Sequence, residues 1–217
     1  MTTAPTLPAA AAASLDKAPD RERRASRAER RAAERTLAER HRWGDPQAFE
    51  EVYRTHAHLV YNLALRLAGD PDRAADLAQE VFLRIHRHLG TFRGRSSLET
   101  WIYRVTVNHC RSRLARRRPP SRPLTLDEGQ EDRVAHLADP SRGPEERALA
   151  GDAARLVTAA LTRLPVKLRE AVVLRDLEGL PYDDIARVLG VRIGTVRSRI
   201  ARGRERLRSV LQEGGRL

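Results

Sequence analysis

Apolar side chains recur every three or four residues in two blocks of this chain, about 43–118 and 146–213, and neither block alternates convincingly with a period of two. That pattern dictates an all-α protein built as two small helical domains. Between the blocks runs "PPSRPLTLDEGQEDRVAHLADPSRGPEE", from Pro119 to Glu146, with seven acidic residues, three arginines and five prolines. Such a stretch cannot support a core, so 119–145 is expected to be a flexible linker. Residues 1–42 begin Ala/Pro-rich and continue as "DRERRASRAERRAAERTLAERHR", where charge repeats without a sustained apolar stripe. A disordered or transiently helical tail is the expectation there.

Within the first block, "GDPQAFEEVY" and "GDPDRAADLAQ" repeat one device. Asp45 and Asp70 suit the N-cap, and Pro46 and Pro71 the first helical turn, where a missing N–H costs nothing. Phe49, Val52, Tyr53, Val60, Leu63 and Leu67 then form one helical stripe, and Leu77, Val81, Ile85 and Leu89 another, so the two helices can pack as a hairpin. After the turn-like "GTFRGRSS" a third helix is expected from near Leu98 to about Arg116.

The second block carries "IARVLGVRIGTVRSRIARGR", Ile185 to Arg204, with six arginines and no acidic residue. Placing Gly190 at a turn puts Ile185, Ala186, Leu189 and Val191 before or at it, and Val196 and Ile200 after it, which is helix-turn-helix spacing. At about 100° per residue, Val196, Ile200, Gly203 and Leu207 share a core-facing side. Arg197, Ser198, Ala201 and Arg202 point away. Arginine forks bind guanine edges and phosphates, so such a helix suits the DNA major groove. The formal net charge of +12, almost all of it carried by arginine rather than by the two lysines Lys17 and Lys167, fits a polyanionic partner.

Two further patterns are ambiguous on local grounds. In the third helix Trp101, Arg104, Asn108 and Arg111 line one side, next to that of Leu98, Ile102, Val105 and His109. An aromatic beside Arg and Asn suits unstacked bases, yet Trp101 also fits a half-buried core position. On the second helix Asp76, Gln79 and Glu80 make an acidic face in a basic protein, which a solvated surface near a helix start would explain equally well.

Taken together, "DRAADLAQEVFLRIHRHLGTFRGRSSLETWIYRVTVNHCRSRLARR" and, across the linker, "LTRLPVKLREAVVLRDLEGLPYDDIARVLGVRIGTVRSRIARGRERL" resemble the extracytoplasmic-function (ECF) sigma factors of the sigma-70 family. The resemblance covers about 43–213. It implies that the first block is the region 2 domain, which binds core RNA polymerase and opens the −10 promoter element, and that the second is the region 4 domain, which reads the −35 element. It implies contacts from Asp76, Gln79 and Glu80 to the β′ clamp helices, with the β flap as a further polymerase partner. Ser97, Trp101, Arg104, Asn108 and Arg111 are then placed near the melted −10 strand. Thr195, Arg197, Ser198, Arg199 and Arg202 are placed at the −35 duplex. An anti-sigma protein is an implied partner, commonly a membrane-tied one. Arg95, Arg192 and Ala201 depart from the commonest residues of the family, which leaves the promoter sequence open.

A helix-turn-helix activator would account for the second block alone and leaves the first unexplained. An enzyme is not expected: no catalytic group is required, and His56/His58, His86/His88 and His109 with Cys110 lack metal-site spacing. Neither metal nor cofactor is therefore expected. The lone Cys110 cannot form an internal disulfide, and no run approaches the roughly 18 apolar residues of a membrane span, so a cytoplasmic protein without membrane insertion is expected.

Overall fold

The computed structural model describes residues 18–116 and 155–214, and among them every regular element is helical. The linker expected over 119–145 lies outside the described residues. Helices α1 (Ala18–Arg42), α2 (Pro46–Ala68), α3 (Pro71–Leu89) and α4 (Leu98–Arg116) form the first module. The second contains α5 (155–162), α6 (Val166–Val172) continuing into a π-helical turn (Val173–Leu177), α7 (Tyr182–Leu189) and α8 (Ile193–Gly214).

Both Asp-Pro signals start helices. Asp45 Oδ1 accepts from the Gln47 N–H at 2.9 Å, and Asp70 Oδ1 from the Arg73 N–H at 2.8 Å, satisfying amides that have no intrahelical partner. The α2–α3 hairpin closes around Val52, Val60, Val81 and Ile85, with α4 laid across both helices through Leu98 and Ile102.

Of the disordered or transiently helical tail expected over 1–42, residues 1–17 lie outside the described residues, and the rest is a docked helix. Residues 18–42 form α1, whose last turns dock on the hairpin: Ala38 is fully buried, the His41 ring donates to the His86 carbonyl at 2.8 Å, and Arg42 Nε donates to the Gly90 carbonyl at 2.8 Å. Ala38 and the half-buried Leu37, with these polar ties, replace the long apolar stripe that the sequence lacks. Glu34 goes further and accepts from the Leu98 N–H at 3.0 Å, so α1 caps α4.

In the second module α8 crosses α6 at Gly203. A Cβ there would lie 2.4 Å from Val172 Cγ2 and 3.3 Å from the Leu168 carbonyl oxygen, so only glycine permits this approach. Gly190 ends α7 with φ +67° and donates to the Ala186 carbonyl, the left-handed cap that the helix-turn-helix reading requires.

The two modules are not independent bodies. Leu63, Leu67 and Val107 of the first share one buried apolar cluster with Leu161, Leu174 and Ile185 of the second. This explains why α4 is buried on more than one side. Leu98 and Ile102 face the hairpin, while Tyr103, Val107 and Cys110 belong to the cluster shared with the second module.

Candidate nucleic-acid interface

Helix α8 is held by Val196, Ile200 and Val210, all buried, and by Gly203 against α6. That leaves Arg197, Ser198, Ala201 and Arg202 exposed on the opposite side, with Thr195 and Arg199 half-buried at its margin. Ser198 Oγ donates back to the Thr195 carbonyl at 3.1 Å, which still leaves its lone pairs for a base or phosphate. Arg204 is engaged elsewhere, paired with Asp176, and so braces α8 against the π turn. A rigid helix with three exposed donor side chains in adjacent turns matches major-groove readout geometrically.

The residues grouped on α4 have divergent fates. Ser97 Oγ lies 2.7 Å from Thr100 Oγ1 and accepts from the Thr100 N–H at 3.1 Å, so it serves as the helix cap. Trp101 is only 8% exposed and meets Phe92 edge-on at 5.9 Å, placing its ring in the core rather than on an open stacking face. Arg104 and Asn108 are exposed and available. Arg111 is not: its Nε and Nη2 donate to the two carboxylate oxygens of Glu170 at 2.7 and 2.6 Å. The Glu170 side chain is 1% exposed, and it comes from the other module.

On α3, Asp76 and Gln79 are exposed, whereas Glu80 is drawn inward. It accepts from His109 Nε2 and Arg113 Nε, both at 2.6 Å, and from Arg113 Nη2 at 2.5 Å. Burial would raise the Glu80 carboxyl, but these hydrogen bonds outweigh it and hold the pKa below the ordinary value. Burial of the His109 ring drives its pKa down, against the pull of Glu80, and the ring is read as neutral with Nε2–H donating. Glu80 thus ties α3 to α4, and Leu83 one turn on stands 57% exposed beside the same face.

Sequence reasoning missed the groups of the second module that reach the first. The π turn carries Glu178 to Arg66 and to the Tyr103 hydroxyl, which donates to it at 3.0 Å. Buried Arg169 donates to the carbonyls of Leu67, Thr162 and Leu164. The one available signal was the spacing of Tyr103, Val107, Cys110 and Leu114, a second apolar stripe on α4 that the hairpin does not need. Cys110 is fully buried, and burial pushes its thiol up to about 12, so it is not a reactive thiolate. Among the described residues no group of His, Cys, Asp and Glu is arranged to hold a metal ion, and no helix is long and apolar enough to cross a membrane.

Comparison with known proteins places both modules in known families. Residues 52–119 match sigma-70 region 2 and residues 154–207 match sigma-70 region 4. The chain is 38% identical over 178 residues to the RNA polymerase sigma-H factor of Pseudomonas aeruginosa, covering 81% of this chain and 92% of that protein. It is 35% identical over 181 residues to the ECF RNA polymerase sigma-E factor of Escherichia coli, covering 82% and 94%. Among solved structures, CnrH in complex with the cytosolic domain of CnrY aligns with a TM-score of 0.60 at 23% identity, over 83% of this chain and 98% of that one. The sigma factor RpoE of Bartonella quintana, solved with the anti-sigma factor NepR, aligns with a TM-score of 0.56 at 23% identity, over 76% and 96%.

Proposed function

Because this chain belongs to the ECF RNA polymerase sigma factors of the sigma-70 family, and so acts with core polymerase at promoter DNA to initiate transcription, we propose a division of labour among its residues. Arg197, Ser198 and Arg202 read the −35 duplex, with Thr195 and Arg199 supporting backbone contact. Arg104, Asn108 and, once released, Arg111 hold the melted −10 strand, while Ser97 and Trp101 shape the start of their helix. Asp76 and Gln79 meet the β′ clamp helices, and Glu80 presents that face by tying α3 to α4. The observation that carries this reading is the orientation of α8, whose buried Val196–Ile200–Gly203 side fixes which arginines face outward.

Mechanistically, no catalytic group of this chain takes part. Two weak DNA-binding modules gain affinity when docking on polymerase fixes their separation and raises their effective concentration over the promoter. Melting is stabilised by capture of the exposed strand, where unstacking costs least. The chain works in the cytoplasm, where polymerase and DNA are, and an anti-sigma protein of the class seen bound to its structural neighbours regulates it. Arg197→Ala and Arg202→Ala each weaken transcription from −35-dependent promoters while leaving affinity for core polymerase intact. Loss of core binding in these variants would overturn the assignment.

A further inference from the structure

Helix α1 brings more positive charge to the start of α4 than its docking uses. It precedes the region 2 match at 52–119, and it crosses the loop "FRGRSS" that leads into α4. Two contacts fix the crossing. Glu34 accepts from the Leu98 N–H at 3.0 Å, and a Cβ added at Gly94, which sits at φ +68°, would lie 2.9 Å from both Cγ and Cδ of Arg35. The Arg35 stem therefore lies over the loop, where the exposed Arg93 and Arg95 flank Gly94 in the chain.

Arg30 and Arg31, one turn before Glu34, are exposed on the same side of α1. Burial raises the Glu34 carboxyl pKa against the Leu98 N–H and the charges of Arg30 and Arg31, so both guanidinium groups act close to the loop. One and two turns before Arg31, the sequence sets Arg27 and Arg23 at the same helical register. Among the described residues none of Arg30, Arg31, Arg35, Arg93 and Arg95 is held in an ion pair. The acids nearby do not cancel them. Glu34 is spent on the Leu98 N–H, Glu29 lies about 140° round the helix from it, and Glu99 stands exposed at the start of α4.

The exposed side chains of α1 between 28 and 36 are Ala, Glu, Arg and Thr, with no large apolar residue. A protein partner is usually gripped through such an apolar anchor, whereas a phosphodiester backbone requires only well-placed donors. Arginine forks supply them in bidentate geometry. The patch also adjoins Ser97 at the head of the helix that carries Arg104 and Asn108, the residues proposed at the melted −10 strand.

We propose that α1 and the 93–95 loop form a phosphate-binding surface for promoter DNA, in which Arg30, Arg31 and Arg35 hold the sugar-phosphate backbone beside the segment engaged by α4. Glu34, by capping α4, holds these arginines over the loop. The contact is blind to base sequence and adds affinity to whatever −10 sequence is selected. It rests on the sigma-factor reading for what brings DNA there.

The test uses holoenzyme reconstituted from core polymerase and the full chain, titrated against a duplex fragment recovered by run-off transcription with the wild-type chain. Each phosphate contact contributes about 0.7–0.9 to the fall of log affinity with log salt. Arg30→Ala with Arg31→Ala should flatten that slope by about 1.4–1.8, so the variant's deficit is about 7–12-fold larger at about 50 mM than at about 200 mM salt. Both positions are exposed on a helix that alanine favours, and Arg30→Lys with Arg31→Lys should restore the wild-type slope. Equal affinities and slopes for wild type and the alanine variant overturn the surface alone. So does a deficit that salt leaves unchanged, or a slope that the lysine variant fails to restore. Weaker affinity of the alanine variant for core polymerase itself would turn this face toward protein and also overturn it. A wild-type chain that gives no transcript sinks the sigma-factor reading, and the surface with it.

Discussion

Breaking the Arg111–Glu170 pair from its two ends should have unequal consequences. Arg111→Ala leaves behind a carboxylate that is 1% exposed, whereas Glu170→Gln leaves behind a guanidinium that is 37% exposed and readily rehydrated. Losing one partner of a fully buried pair costs about 3–5 kcal/mol, and the half-open position of Arg111 reduces this to about 2–3 kcal/mol for Arg111→Ala. Glu170→Gln keeps one acceptor for the fork and should cost only about 1 kcal/mol. At about 2–4 °C per kcal/mol, the melting temperature should fall by roughly 4–12 °C for the first and about 2–4 °C for the second. Thermal and urea unfolding followed by circular dichroism at neutral pH measure the melting temperatures and the free energies. The two losses have a common ceiling, because separation of the modules lets Glu170 regain water. A Glu170→Gln loss equal to or larger than that of Arg111→Ala would refute the reasoning, since it would mean that the buried carboxylate is not what the pair protects.

Three further outcomes follow from the same geometry. Burial depresses the pKa of His109 and of His56 below the ordinary value of 6.5, so the folded state resists protonation that the unfolded chain accepts. Their contribution to stability is complete above about pH 6.5 and is lost as pH falls below it, and urea midpoints should drop between pH 7 and pH 5 less steeply in the His56→Gln, His109→Gln double variant. Asp76→Ala with Gln79→Ala should weaken binding to core polymerase in a pull-down or fluorescence titration without moving the melting temperature, both side chains being exposed, whereas Glu80→Ala should lower affinity and stability together because His109 and Arg113 lose their acceptor. Glu34→Ala, which removes the acceptor for the Leu98 N–H, should cost about 1 kcal/mol and be visible as a lower urea midpoint, with transcription losses confined to the −10-dependent steps.

Where the chain announces structure locally, the sequence was legible. Asp45-Pro46 and Asp70-Pro71 mark helix starts because cap chemistry is short-range, and Gly190 marks the turn because only a left-handed cap closes α7 there. The outward side of α8 followed from periodicity, since Val196, Ile200 and Gly203 all turn inward. What was not legible depends on distant partners. Helix α1 docks through Leu37, Ala38 and backbone carbonyls, too short an apolar run to advertise a stripe. Trp101 reads from its neighbours either as a stacking platform or as a half-buried core residue, and the contact with Phe92 decides for the core. Arg111 and Glu80 look free on helical wheels, and their partners lie 59 and 29 residues away along the chain. The inter-module contact was hidden for a related reason. A proline-rich linker invites reading two separate bodies, although the extra apolar stripe on α4 already demanded a third partner.

On this reading the chain gives polymerase its promoter. Run-off transcription with sigma-free bacterial core polymerase, the purified chain and a pool of promoter fragments tests it most directly. Discrete new start sites, with upstream sequences shared at −35 and −10 and lost together in the Arg197→Ala, Arg202→Ala variant, are the predicted result. No transcripts, no association with core, and tight binding of the free chain to duplex DNA would contradict it.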